Sequence, residues 1–370
     1  MKFTTQSSEL TKALFRVQGI ADKKSTMPIL AHVLIEASNQ GELRLSATDL
    51  EVGLTGTYSA EVKNPGSIAV HARHFYDILK SLPEGDVHFE VTDNHWIKIS
   101  SGKSNFKLVG MTGDDFPNLP SHTETDTFQI PSEDLAQMIE RTIFCVSSDD
   151  NRHNLSGVYC EVRDQKTLRL VATDGHRLAF TEKNFTNELP FENGVIVPKK
   201  GFQELRRVLQ DNDSVETVEL GFTNNSGFLR ADNVTLTTRL IEGQFPDYHQ
   251  VIPKDSGEEI KISKSKLGQA LKRVSLLSQG KSYGVRFQFN DDTLELVAED
   301  PELGNAHETI EVSYQGEPLT IGFNARYIME VLGLMSEESI CLELTDDLSP
   351  GIIQPLEETG FLTVIMPMRI

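Results

Sequence analysis

The pattern Leu-x-Leu-x-Ala-x-Asp occurs three times in this chain: at Leu43, Leu45, Ala47 and Asp49; at Leu168, Leu170, Ala172 and Asp174; and at Leu294, Leu296, Ala298 and Asp300. The copies stand 125 and 126 residues apart. A constant, domain-sized interval constrains the fold more than composition does, because it implies one unit repeated three times, each copy long enough to bury its own core. Within each copy, apolar residues alternate as on a half-buried strand, and the Asp closes the run at a turn.

Other features keep the same period. Each unit opens on a short strand and an apolar helix, over Phe3 to Leu10, Phe128 to Leu135 and Ile260 to Leu267. Leu10, Ala13, Leu14 and Val17 recur at helical spacing behind Ser7 and Ser8, which read as N-caps. A second helix follows each Leu-x-Leu strand, with apolar faces Phe75, Ile78, Leu79 and Leu82; Phe202, Leu205, Val208 and Leu209; and Tyr327, Ile328, Val331 and Leu332. Alternation of period two then returns at Val87, Val218 and Ile340. Two helices among about eight short strands per unit predict an α+β class with antiparallel sheets, in three tandem copies. Proline-rich segments at Phe116 to Pro120 and Phe245 to Pro253 place the units at residues 1–125, 126–252 and 253–370.

The chain carries a formal charge of -20, which opposes a protein that grips nucleic acid by bulk attraction. The distribution is uneven. Helical stretches 10–24, 198–210 and 261–281 carry about +3, +3 and +6, so strands and loops hold the acidic excess. If the helices share one face, that face is positive on an acidic body, and lysines and arginines touching phosphates read no sequence.

Catalytic signatures are lacking. There is no phosphate-binding Gly-rich loop, nucleophile elbow or His-Glu-x-x-His. Cys145, Cys160 and Cys341 lack metal-ligand spacing, and no metal or cofactor is expected. No apolar run approaches the roughly 20 residues of a membrane span, so a cytoplasmic chain without membrane contact is predicted. The one acid-base candidate is Asp174 with His176. The Asp recurs at Asp49 and Asp300 while the His does not, which favours an Asx-type brace for a turn. The alternatives are a hydrolase or isomerase using that pair, or an acidic scaffold that binds proteins without DNA.

Several blocks resemble the bacterial DNA sliding clamp family, the beta subunit of DNA polymerase III: Met1-Lys2-Phe3, Thr48-Asp49-Leu50-Glu51, Asp115-Phe116-Pro117-Asn118-Leu119, Ala172 to Leu178, Phe245-Pro246-Asp247-Tyr248 and Met366-Pro367-Met368-Arg369-Ile370. The resemblance spans the chain. It implies the DNA clamp fold, a head-to-tail homodimer closed into a ring around duplex DNA, and a non-catalytic role in polymerase processivity. DNA polymerases, a clamp loader and repair proteins would be partners, docking peptides in a pocket between the second and third units.

The resemblance assigns that pocket to Leu155, Thr173, Gly175, His176, Arg177, Leu178, Pro246, Val251, Val364, Met366, Pro367, Met368 and Arg369, with Gln250 where some members carry Arg. It assigns DNA-facing positions to Lys24 and Arg73, with Lys199, Lys200, Arg207 and Arg152 as companions. The dimer interface falls to Phe106 and Leu108 of the first unit, meeting Leu276 and Leu277 of the third.

Overall fold

The computed structural model describes the chain except for residues 22–25, 121–125, 150, 192–193, 211–214, 255–256, 279–282, 358–359 and 370. Its helices lie where the apolar periodicity places them: α1 Ser7–Val17, α2 Ala72–Ser81, α3 Ser132–Ile143, α4 Lys199–Gln210, α5 Lys264–Val274 and α6 Ala325–Leu332. Each turns one stripe inward, as a surface helix on a sheet must. In α1 the stripe is Leu10, Ala13, Leu14 and Val17; in α4 it is Phe202, Leu205, Val208 and Leu209. In α2, Phe75 and Leu79 are buried and Ile78 is only half-buried, while Leu82, expected on the same face, is the half-buried C-cap just past the helix.

The expected serine caps of α1 are absent. Gln6 is the N-cap and its side chain makes no capping bond, while Ser7 is buried inside the helix, where its hydroxyl donates to the Pro83 carbonyl at 3.1 Å. The Ser7 amide is satisfied by the Gly85 carbonyl at 2.9 Å. Two tertiary carbonyl acceptors thus replace the local cap. α5 and α6 do follow the local rule, with Ser263 and Asn324 accepting from amides of their first turns.

The strands form antiparallel sheets, and packing divides the chain into two compact units: residues 1–136 with 197–241, and 137–196 with 242–370. The division falls inside the middle repeat. The cause is strand pairing, which continues from one repeat into the next. In the first unit, Val234–Arg239 pairs with Val52–Ser59, setting Leu236 opposite Leu54, within a 13-stranded sheet. In the second unit, Arg177–Asn184 pairs with Phe361–Ile365, setting Leu178 opposite Val364, within an eight-stranded sheet.

Aromatic rings anchor the cores. Phe3 stacks on Phe89 at 4.6 Å in the first unit, and Phe287 meets Phe323 edge-on at 5.5 Å in the second. Both pairs are fully buried, each ring contributing about 1.5–3 kcal/mol by leaving water. All three cysteines are buried and none is in a disulfide.

Candidate docking site

The Asp that ends each repeated strand does the same work three times. Asp49 Oδ1 accepts from the amides of Glu51 and Val52 at 3.0 and 2.7 Å. Asp174 Oδ1 accepts from His176 and Arg177 at 2.9 and 3.0 Å. Asp300 Oδ1 accepts from Glu302 and Leu303 at 2.8 and 2.9 Å. A carboxylate taking the amides two and three residues on closes an Asx turn. In the first two copies the preceding threonine completes the brace: Thr48 and Thr173 donate to the carbonyls of Val52 and Arg177 and accept from the amides of Leu50 and Gly175. Asp174 is therefore bonded to backbone and to Arg177, and the acid-base pairing with the His176 ring is not formed.

The middle turn is tied to its surroundings by Arg177, which is only 9% exposed. Its Nε donates to Asp174 Oδ2 at 3.1 Å, Nη1 to Glu330 Oε2 and Nη2 to the Phe144 carbonyl at 2.8 Å. The guanidinium lies 4.2 Å from the centroid of the Tyr327 ring and 5.0 Å from that of Phe144. Burial opposes charge on Glu330, but hydrogen bonds from Arg177 and Arg326 overcome it and hold the carboxyl below its ordinary range. Of the residues assigned to the pocket, Arg177 thus points inward and His176 is left exposed at the tip. Gly175 adopts φ +87°, and a Cβ there would stand 2.7 Å from Arg152 Nη1. Arg152, assigned to DNA, is instead placed beside this turn and paired with Asp149 at 3.0 Å.

The C-terminal segment lies against the turn. The Met366 amide donates to the His176 carbonyl at 2.9 Å and the Met368 amide to the Gly322 carbonyl at 2.8 Å, so Met366 to Met368 are pinned at two points. Val364 and Leu178 are buried in a small cluster with Val171, Phe180 and Tyr248, packed by Tyr159, Phe245, Ile252 and Leu362. Around it Val251 and Met366 are 40% and 37% exposed, and Pro246 is exposed too. Leu155 is buried, and the loop that carries it is tied to the Phe245–Pro246 segment by Asn154 Nδ2 donating to the Gln244 carbonyl at 3.0 Å. Pro367 is half-buried and Arg369 exposed. An apolar floor with exposed aliphatic and thioether rims beside a polar turn suits an extended apolar peptide, and methionine side chains adapt to different ones.

Beneath the floor lies a polar network that sequence reading missed. Arg169, 6% exposed, donates to Glu182 Oε2 from Nε and Nη2 at 2.9 and 2.6 Å and to the Tyr248 hydroxyl from Nη1 at 3.0 Å. Tyr248 in turn donates to Glu161. Burial, reinforced by Glu161, pushes the Tyr248 phenol far above its ordinary pKa, so it remains a donor. The only signal in the sequence was an Arg in an otherwise apolar strand.

The basic residues assigned to DNA divide. Lys24 lies outside the described residues. Arg73 is exposed on α2, 3.8 Å from Asp77, and Lys199 is half-buried at the start of α4. Lys200 is ion-paired with Asp49. Arg207 pairs with Glu204 at 3.2 Å, donates to the carbonyls of Phe15 and Arg16, and occupies space that a Cβ on Gly19 would need. These two cations brace the first unit. Among the interface positions, Phe106 and Leu276 are 36% and 60% exposed, while Leu108 and Leu277 are half-buried. Val109, not anticipated, is 60% exposed. Among the described residues, no group of three His, Cys, Asp or Glu is placed to hold a metal ion, and no helix is long and apolar enough to cross a membrane.

Models of the three domains of the DNA polymerase III beta subunit match this chain in order: the N-terminal domain at residues 1–120, the central domain at 129–247 and the C-terminal domain at 249–369. The chain is 36% identical over 373 residues to the beta sliding clamp of Pseudomonas putida and 35% identical over 373 residues to that of Escherichia coli, covering 100% of each chain in both cases. Its structure is similar to the crystal structure of the sliding clamp of Bartonella birtlesii bound to griselimycin, with a TM-score of 0.95, 32% identity and 100% of both chains covered. Three consecutive domain matches and full-length likeness on this fold make the chain a member of the DNA polymerase III beta subunit family, the beta sliding clamps.

Proposed function

We propose that two copies of this chain close head to tail into a ring around duplex DNA, and that the ring tethers DNA polymerase to its template. The observation that carries the docking half of this reading is the convergence of three separate segments, Gly175 to Leu178, Pro246 to Val251 and Val364 to Arg369, around one apolar cluster. DNA polymerases, repair proteins and the clamp loader that opens the ring would bind there through short linear peptides. The role requires no catalytic group, and it places the protein in the cytoplasm with the replicating chromosome.

Ring closure is supported by two open strand edges. Among the described residues, 104–109 pair only with Trp96–Ser101, and Gly304–Glu311 pairs only with Thr293–Asp300. Open edges invite pairing with another chain unless covered. A second copy set head to tail covers both, with Phe106, Leu108 and Val109 of one copy near Leu276 and Leu277 of the other, and the contact made twice closes a two-fold ring. Topology then replaces affinity. A closed ring on an acidic body with basic helices needs only weak, sequence-independent attraction to phosphates.

Retention on DNA tests this. Protein loaded on circular duplex should resist high salt and be released when the circle is cut; salt-sensitive loss from both forms would overturn the reading. Removing Met366 to Ile370 should abolish polymerase docking and leave the dimer intact, and a solution mass of one chain would exclude the ring.

A further inference from the structure

The backbone plan of the docking site is built a second time, inside the first unit. Thr48 and Asp49 hold their turn with the same bonds that Thr173 and Asp174 make. The Arg239 amide donates to the Glu51 carbonyl at 2.8 Å, as the Met366 amide does to that of His176 at 2.9 Å. Gly53 stands opposite Thr237 in the register where the docking site sets Leu178 opposite Val364. Phe116-Pro117-Asn118-Leu119 takes the part of Phe245-Pro246-Asp247-Tyr248, and a groove of about 380 Å³ lies between it and the turn.

The side chains differ at three points. Leu119 Cδ2 lies 2.7 Å from where a Cβ on Gly53 would stand, so Leu119 supplies the apolar floor that Leu178 supplies in the other site. At the tip, Leu50 takes φ +78° where Gly175 takes +87°, and it is 54% exposed. A bulky side chain held in the left-handed region and left in water serves neither folding nor packing, which marks the turn as a contact surface. Glu51 stands where the docking site has His176. Its carboxylate lines the groove with no ion pair among the described residues, while Asp49 is already paired with Lys200 and Arg239, also on the groove, is engaged elsewhere. Burial, and then the charge of Asp49, raise the pKa of Glu51 against the pull of Lys200, so a further cation is the charge this wall lacks.

We propose that this groove is a second docking site, for an extended peptide of a partner protein in which an aliphatic side chain seats against Leu50, Pro117 and Leu119 and an adjacent lysine or arginine meets Glu51. One anchored side chain and one charge suffice to read a short motif. The basic residue distinguishes this peptide from the apolar one at the His176 turn. The site lies within a single chain, so it does not depend on ring closure.

Titration of the full-length chain, labelled at its leucine and valine methyls, with capped hexapeptides carrying Leu-Lys, Leu-Gln or Leu-Glu at their centre tests the site by NMR. The Leu-Lys peptide should move the methyl signals of Leu50 and Leu119 and bind about tenfold more tightly than the Leu-Glu peptide. Glu51→Gln should weaken Leu-Lys binding about threefold and erase the preference, and Glu51→Lys should invert it. Leu50→Gly should weaken binding about tenfold without lowering the melting temperature, because glycine accepts the positive φ. Peptides that move only Leu178 and Val364, or that leave Leu50 unmoved at millimolar concentration, would overturn the proposal and leave docking beside His176 standing. Binding at Leu50 that ignores the charge at residue 51 would overturn it as well.

Discussion

Arg177 and Glu330 stand 153 positions apart in sequence and share a hydrogen bond in the folded chain, with Arg177 Nη1 donating to Glu330 Oε2. The bond makes one buried cation the tie between the Asx turn, the end of α3 and α6. Its value lies in completeness, since each donor edge of the guanidinium has a partner.

Replacing Arg177 by Met should therefore destabilise the second unit by roughly 3–5 kcal/mol, because Asp174, Glu330 and the Phe144 carbonyl lose their donor together. Urea denaturation measures it. Adding Glu330→Met should recover part of the loss, since removing both members of a buried pair costs less than removing one.

Gly175→Ala should cost about 1 kcal/mol or more from its positive φ alone. It should also displace Arg152, whose guanidinium fills the space a Cβ needs. Arg152→Ala in the same chain should relieve the clash and leave the backbone strain, so calorimetric peptide affinity should recover more than the melting temperature.

The three Asx turns differ in a measurable way. Asp49→Asn keeps an oxygen for the two amides and weakens the bond to Lys200, so a loss of roughly 1–2 kcal/mol is expected. Asp300→Asn keeps the same amide acceptor in a more exposed turn and should change the stability of the folded chain by under about 0.5 kcal/mol. Thermal melts of both variants compare them directly.

Tyr248→Phe removes the link between Arg169 and Glu161 without changing the apolar floor. The expected loss is about 1–3 kcal/mol, with peptide affinity falling in parallel as the floor loosens. If stability fell with affinity unchanged, the network would serve the fold alone.

Acid should weaken the first unit through its histidines. Burial lowers the pKa of His32, and burial with the nearby charges of His74, His32 and Arg73 lowers that of His71, each from an ordinary value of 6.5. The unfolded chain then binds more protons between the lowered values and 6.5, so stability is fully present above that pH and declines below it. Melts from pH 7.5 to 5 should show the decline, and His71→Gln should flatten it.

Much of the molecule was legible from local pattern. The helices and the Asx role of Asp49, Asp174 and Asp300 depend on spacings of two to four residues, and the repeat on a constant interval of 125 and 126, all of which sequence displays directly. The serine caps of α1 failed for an instructive reason, since Gly85 and Pro83 meet the needs of Ser7 from a distant turn. Resemblance brought the docking residues onto the page, but not which of them face outward.

By itself the sequence determined that three copies of one α+β unit exist, that each ends a strand in a braced turn, and that Gly-His-Arg is peculiar to the second. Tertiary structure alone decided which cations are already engaged. Lys200 is paired to Asp49 across 151 residues, Arg207 reaches Phe15 across 192, and Arg169 meets Tyr248 across 79. A basic residue reads the same in a sequence whether it faces solvent, a phosphate or a buried carboxylate, because its partner is chosen by packing and not by neighbours along the chain.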